Sequence, residues 1–198
     1  GAIGACAVKE LKKLARRDEP FFFAVGFKKP HLPFVAPKKY RDLFDRDSLD
    51  LAAFQRKALN SPDIAYHNSE EIRAYNGVPA TGALDEATQR KLIHGYYACI
   101  AYIDAQIAKI LDQLKALDLD DNTLIILWGD HGFHLGDHAL WCKHTNFENA
   151  TRVPLIIAAP QSKRNTTSTM PVELTDLFPT LCELAEIETP QNLDGVSL

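Results

Sequence analysis

Three short, almost unbroken apolar runs, at 21–27, 123–128 and 153–159, constrain the fold of this chain more than any other feature. A run without polar alternation suits a strand covered on both faces. Between the first and second runs, Leu92, Tyr96, Ile100, Ile103, Ile107, Ile110, Leu114 and Leu117 recur at steps of three and four. That period predicts a long amphipathic helix over 85–117, with Asp85 and Thr88 at its N-terminal cap. Before the first run, 7–17 places Leu11, Leu14 and Ala15 on one face, which predicts another helix. After the third, a helix over 177–186 is predicted to start from Asp176, with Pro179 in its first turn, where a missing N–H does no harm. Strands of this kind separated by helices predict an α/β fold, a mainly parallel sheet flanked by helices.

Two stretches resist that scheme. Prolines at 30, 33 and 37 forbid regular structure and force an extended loop. Residues 45–83 are polar, rich in turn formers and without a period, and read as a long insertion loop over the surface. With 198 residues, the chain is one domain or a large piece of a bigger one. A net charge of -4 gives no basic field for nucleic acid, and no apolar run approaches the roughly 20 residues that span a bilayer. Cys6, Cys99, Cys142 and Cys182 are scattered, with no CxxC pair, and read as core thiols. Sequons stand at Asn149 and Asn165.

Ligands gather at the carboxyl ends of strands in parallel α/β sheets. Two such ends carry polar clusters: Lys28-Lys29-Pro30-His31 and Asp130-His131-Gly132. A carboxylate beside an imidazole offers half of a metal shell, provided the strand has ended and both side chains can turn to one ion. A buried Asp–His pair or a tight turn would leave the same trace. The following stretch adds His134, Asp137, His138, Trp141, Lys143, His144 and Glu148, and four of the seven histidines fall between 131 and 144. This reads as an active-site rim, with His138 and Trp141 among its candidates. Lys29 and His31, separated by a proline, would present two donors to one anion, and a histidine can protonate a leaving group near neutral pH. A surface loop with incidental charge is the plainer alternative. No Ser or Cys sits in an activating context, so the nucleophile of an ester hydrolase is missing.

The stretches PFFFAVGFKKPHLPF (20–34), GYYACIAYIDAQIAKILDQL (95–114), NTLIILWGDHGFHLGDHALWCKHTNFENATRVPLIIAAP (122–160) and ELTDLFPTLCELAEIETPQNLDG (173–195) together resemble the sulfatase family, within the alkaline-phosphatase-like superfamily. K-P-H-x-P-F followed by D-H-G-x-x-L-G-x-H is similar to the branch that holds iduronate-2-sulfatase and choline-sulfatase-like enzymes. The resemblance implies that Asp130 and His131 are two ligands of a divalent metal ion, calcium in most sulfatases. Many relatives carry Asn where His131 stands. It also implies that Lys143 contacts the sulfate, and that His31 contacts the ester and protonates the leaving oxygen. Lys29 has no firm catalytic counterpart, and Lys29, like His138 and Trp141, stays a candidate for the substrate rim.

By the same resemblance 1–198 is a partial sulfatase catalytic domain, incomplete at both ends. The paired acidic ligands and the Cys-x-Pro-x-Arg or Ser-x-Pro-x-Arg that yields the formylglycine nucleophile are expected outside it, so no turnover is expected from these residues alone. The implied substrate is a sulfated sugar or small sulfate ester, with no nucleic acid and no membrane span. A periplasmic or secreted setting goes with the family, while oligomeric state is left open. A phosphodiesterase or phosphonate monoester hydrolase of the same superfamily, or a non-catalytic sulfatase-like binding domain, are the alternatives.

Overall fold

A computed structural model of the chain describes residues 1–160, 162 and 165–198. In chain order the elements are α1 (Ala2–Leu14), α2 (Lys38–Arg41), α3 (Glu70–Arg73), α4 (Glu86–Lys115), β1 (Ile125–Trp128), β2 (His134–Leu135), β3 (Trp141–Cys142), α5 (Glu148–Thr151), β4 (Leu155–Ala158) and α6 (Leu177–Leu184), with short 3-10 turns between them. They form two compact units, Gly1–Leu117 with His131–Arg152, and Asp118–Asp130 with Val153–Leu198. No helix among the described residues is long and apolar enough to cross a membrane.

The first unit is organised on α4, which forms where the period places it. Asp85 caps it by accepting from the Thr88 N–H at 2.7 Å. Its most buried face is not the large apolar stripe, however. Ile93, His94, Gly95, Ala98, Cys99 and Gln106 are buried, while Ile100 and Leu111 are exposed. Small residues explain the difference, because they let other segments approach the helix. A Cβ on Gly95 would lie 2.9 Å from the Phe34 Cβ. α1 packs on α4 through Gly4, Ala7 and Leu11, and ends three residues earlier than the amphipathic pattern predicts. The core of this unit joins Leu32, Ile72, Leu84, Ile93, Trp141 and Cys142.

The segment 45–83 is more than a surface loop. It contains two 3-10 turns and α3, and buries Ser69 and Ile72 at 2% and 1% exposure. Arg73 ties it together by donating to the carbonyls of Asn68, Pro79 and Gly82. A single buried isoleucine in a polar stretch leaves no period to read, which is why this anchorage escapes sequence inspection.

The mainly parallel sheet is not seen among the described residues. In the second unit β1 and β4 pair antiparallel, Ile125 opposite Ala158 and Trp128 opposite Leu155, and Gly129 N–H extends the ladder to the Pro154 carbonyl at 3.1 Å. Parallel pairing needs a crossover, usually a helix. Here the residues between the two strands, from His131 to Arg152, are built into the other unit and contain only the four-residue α5 as α-helix. The first unit holds the other pair, β2 with β3, also antiparallel. Among the described residues the run 21–27 joins no ladder; its residues alternate half-buried and exposed, Phe22 at 83% exposure, rather than being covered on both faces.

α6 starts from Asp176 as predicted, with Pro179 buried in its first turn. The Asp176 carboxylate turns away from the helix, accepting from the Glu173 and Val196 N–H groups at 2.8 and 2.9 Å. The C-terminal segment is thereby fastened to the helix start. All four cysteines are free thiols, with only Cys6 exposed. Burial pushes the Cys142 thiol up to about 11 and raises that of Cys99, so neither is an activated nucleophile.

Candidate functional site

The proline-rich loop and the strand β3 meet at one carboxylate in the first unit. The loop turns tightly after the apolar run, with His31 N–H donating to the Lys28 carbonyl at 3.0 Å and with both Lys29–Pro30 and Leu32–Pro33 in the cis form. His31 Nδ1 lies 2.8 Å from the Leu32 carbonyl oxygen. A carbonyl only accepts, so Nδ1 carries the ring hydrogen and Nε2 is left to face the cluster. There it stands 3.2 Å from Glu71 Oε1 and 3.4 Å from Lys143 Nζ.

Lys143 follows β3 directly and is largely covered. Its ammonium donates to both Glu71 oxygens, at 2.9 and 2.8 Å. His144 Nε2 comes within 4.0 Å of Glu71 Oε2, and its ring meets that of His67 edge-on at 5.7 Å. Burial works to raise the Glu71 carboxyl, but the hydrogen bond and charge of Lys143, with the charges of His31 and His144, outweigh it and hold the group below the usual carboxylate range. Two cationic or ionisable donors, separated by 112 residues in sequence, thus converge on one oxyanion. Such a pair suits binding of a tetrahedral anion by charge-assisted hydrogen bonds.

Glu71 is the residue that sequence reasoning missed. It sits beside Glu70 in a stretch without periodicity, and nothing local marks it as different from a solvated glutamate. What brings it in is its neighbour Ile72, which is anchored in the core.

Lys29 turns back on its own loop, donating to the carbonyls of His31, at 2.9 Å, and Pro33. Trp141 is in the core at 3% exposure, its backbone N–H donating to Ser69 Oγ at 3.0 Å, and it does not line a rim. His138 stacks on Phe147 at 4.7 Å with Phe54 at its edge, part of an aromatic group that Tyr66 joins. An open cleft of about 450 Å³ lies against this group, lined by Ile64, Ala65, His144, Thr145, Asn146 and Phe147. His144 thus connects the cleft to the Glu71 cluster.

Asp130 belongs to the second unit and His131 to the first; both are exposed, and His131 Nδ1 is 2.7 Å from the Gly132 carbonyl. Among the described residues no three of His, Cys, Asp and Glu are grouped as a metal shell. A carboxylate and an imidazole are suitable donors for a divalent ion, but these two alone fall short of a shell.

Gly132 has a clear reason to be glycine. Its N–H donates to the Ala150 carbonyl at 2.7 Å, and an added Cβ would lie 2.1 Å from the Asn149 carbonyl oxygen. Close approach of two backbones, rather than conformational freedom alone, requires it. Gly132→Ala is expected to lower stability by about 2 kcal/mol in urea denaturation, because backbone must shift to admit the methyl group. Gly26→Ala, where nothing lies within 4 Å of the new atom, is the control and is expected to change stability by less than about 0.5 kcal/mol.

The model of one protein family, described as Sulfatase, matches residues 5–187. A sulfatase of Formosa agariphila is 34% identical over 91% of this chain and 35% of its own length. The iduronate 2-sulfatase of Mus musculus is 36% identical over 87% of this chain and 32% of its own. Among solved structures, the phosphonate monoester hydrolase SpPMH from Silicibacter pomeroyi superposes with a TM-score of 0.78 at 28% identity, covering 98% of this chain and 40% of that one. The chain spans about a third of the length of the curated relatives it matches.

Proposed function

This chain belongs to the sulfatase family, and from that premise we propose that it supplies part of the site of a sulfuric ester hydrolase, with Lys143 and His31 as its contacts to the sulfate group. The observation that carries the reading is the convergence of these two side chains, Nζ and Nε2 3.4 Å apart, on one pair of carboxylate oxygens. In the reaction the same donors serve the ester. Lys143 offsets charge on the non-bridging oxygens, where a preorganised cation acts most strongly in a partly dry site. His31, its Nδ1 hydrogen held by the Leu32 carbonyl, acts as the imidazolium, with a second hydrogen on Nε2 that it passes to the bridging oxygen as the alcohol leaves, so that the ring ends neutral with Nδ1 still protonated. The nucleophile is proposed to be a formylglycine outside residues 1–198. Asp130 and His131 are proposed as two ligands of a divalent cation, calcium by family habit, which when bound would add positive charge beside the sulfate. The substrate is proposed to be a sulfated sugar or a small sulfate ester.

A second reading has one specific support. The fold likeness to a phosphonate monoester hydrolase, with a TM-score of 0.78, is on a par with that to a sulfatase structure at 0.75, and a phosphonate monoester also presents a singly charged tetrahedral group. Both readings are tested in a protein extended to the length of the relatives, assayed with p-nitrophenyl sulfate and p-nitrophenyl phenylphosphonate. Lys143→Ala and His31→Ala are each expected to reduce kcat/KM on the sulfate about a hundredfold. Unchanged kinetics in both variants would remove the assignment, and a strong preference for the phosphonate would select the second reading.

A further inference from the structure

We propose that Glu71 sets the charge of the anion that the Lys143–His31 pair accepts, admitting singly charged tetrahedral groups such as a sulfate monoester and rejecting doubly charged ones such as a phosphate monoester. The inference rests on the reading of Lys143 and His31 as the anion contacts and deepens it. Sulfate and phosphate monoesters have nearly the same shape and offer similar oxygens, so hydrogen-bond geometry discriminates poorly between them. They differ by one unit of charge near neutral pH and above.

The cluster is arranged to read that difference. Lys143 carries one positive charge and Glu71 one negative charge, at 2.8 Å with the lysine 17% and the glutamate 23% exposed. These two charges cancel, and the cation left to the incoming anion is His31, whose Nε2 lies 3.2 Å from Glu71 Oε1 and which is charged only when protonated. The site therefore offers at most one net positive charge from these three residues. A monoanion is matched by it when His31 is protonated and is one charge in excess when His31 is neutral, in each case one charge less than a dianion. A dianion leaves an uncompensated negative charge close to the Glu71 carboxylate, where solvent screening is incomplete. The glutamate stays ionised despite its burial, held by the cations around it. His144, 4.0 Å from Glu71 Oε2, is more exposed, at 60%, and is better screened by solvent. A hydrophobic or neutral residue in place of Glu71 would leave Lys143 unmatched, and the site would then favour the more highly charged ligand. Like-charge rejection of this kind is an ordinary route to specificity.

The test uses methyl sulfate and methyl phosphate at about pH 8, where the first is a monoanion and the second a dianion. Each is titrated into the isotope-labelled chain, and binding is read from the His31 ring and Lys143 amide signals. In the unaltered chain, methyl sulfate is expected to bind at least about tenfold tighter than methyl phosphate. In Glu71→Gln, which keeps the size and the oxygen acceptor, methyl phosphate is expected to gain at least about tenfold while methyl sulfate changes less than about threefold. Glu71→Asp, which keeps the charge, is expected to retain the original order. Equal weakening of both ligands in Glu71→Gln would mean that Glu71 only positions Lys143, and would overturn the proposal while leaving the anion site standing. Absence of either ligand from His31 and Lys143 in all three proteins would overturn the proposal together with the reading beneath it.

Discussion

Ile72→Ala is expected to destabilise the chain by about 3–4 kcal/mol, seen as a lower midpoint in urea at an unchanged slope. The side chain is 1% exposed and packs with Leu32, Leu84, Ile93, Trp141 and Cys142. Removing three methyl or methylene carbons there forfeits their burial and leaves a cavity that a well-packed core fills only in part. Ile64→Ala is the matched control, since that isoleucine is 94% exposed in the same segment. It is expected to change stability by less than about 0.5 kcal/mol. If 45–83 were a loop laid over the surface, the two variants would behave alike. The variant has a functional side as well, because Ile72 anchors α3 and with it Glu71. In Ile72→Ala, the Lys143 and His31 signals are expected to shift even at temperatures where the chain stays folded.

How much of this was legible in the residues differs by element. α4 could be read from its period and its cap, and β1, β4 and α6 from short apolar runs with clear punctuation at Gly129, Pro160 and Asp176. These signals are local, and local signals survive translation into structure. Pairing is not local. The apolar runs at 123–128 and 153–159 look the same whether they lie parallel or antiparallel, and only the fate of the chain between them decides. The same limit applies to the site. Nothing in the period or composition places His31 near Lys143; family likeness pointed to both, and folding of 70–73 against β3 supplies the carboxylate between them. Trp141 shows the reverse error. An aromatic among histidines and charges looks like part of a rim, but the neighbouring Ser69 hydroxyl accepts its backbone N–H and its ring fills the core.

His134 leads to the other large expectation, a loss of stability in mild acid. The residue is fully buried; Nε2 lies 2.7 Å from Thr145 Oγ1, and Nδ1 has no hydrogen-bond partner among the described residues. Burial, with smaller contributions of opposite sign from Asp137 and of the same sign from His67 and His138, lowers its pKa to about 4. The unfolded chain has an ordinary histidine there, which takes up a proton near pH 6.5. Between these two values the unfolded state binds a proton that the folded state refuses, so stability falls as pH drops from about 6.5 to about 4 and this contribution is constant below. Its size is on the order of 3 kcal/mol over the window. His67, also lowered chiefly by burial, acts in the same direction. Glu71, whose folded pKa is depressed, contributes stability that is lost only at lower pH, as the medium falls below the ordinary glutamate value towards its own. The measurement is urea denaturation at intervals between about pH 7 and pH 4 for the chain and for His134→Gln. The glutamine variant is expected to start less stable at neutral pH, and to lose less as pH falls, by close to one proton's worth of slope. Parallel pH profiles for the two proteins would show that His134 takes up its proton without unfolding, and would remove burial of a neutral imidazole as the cause.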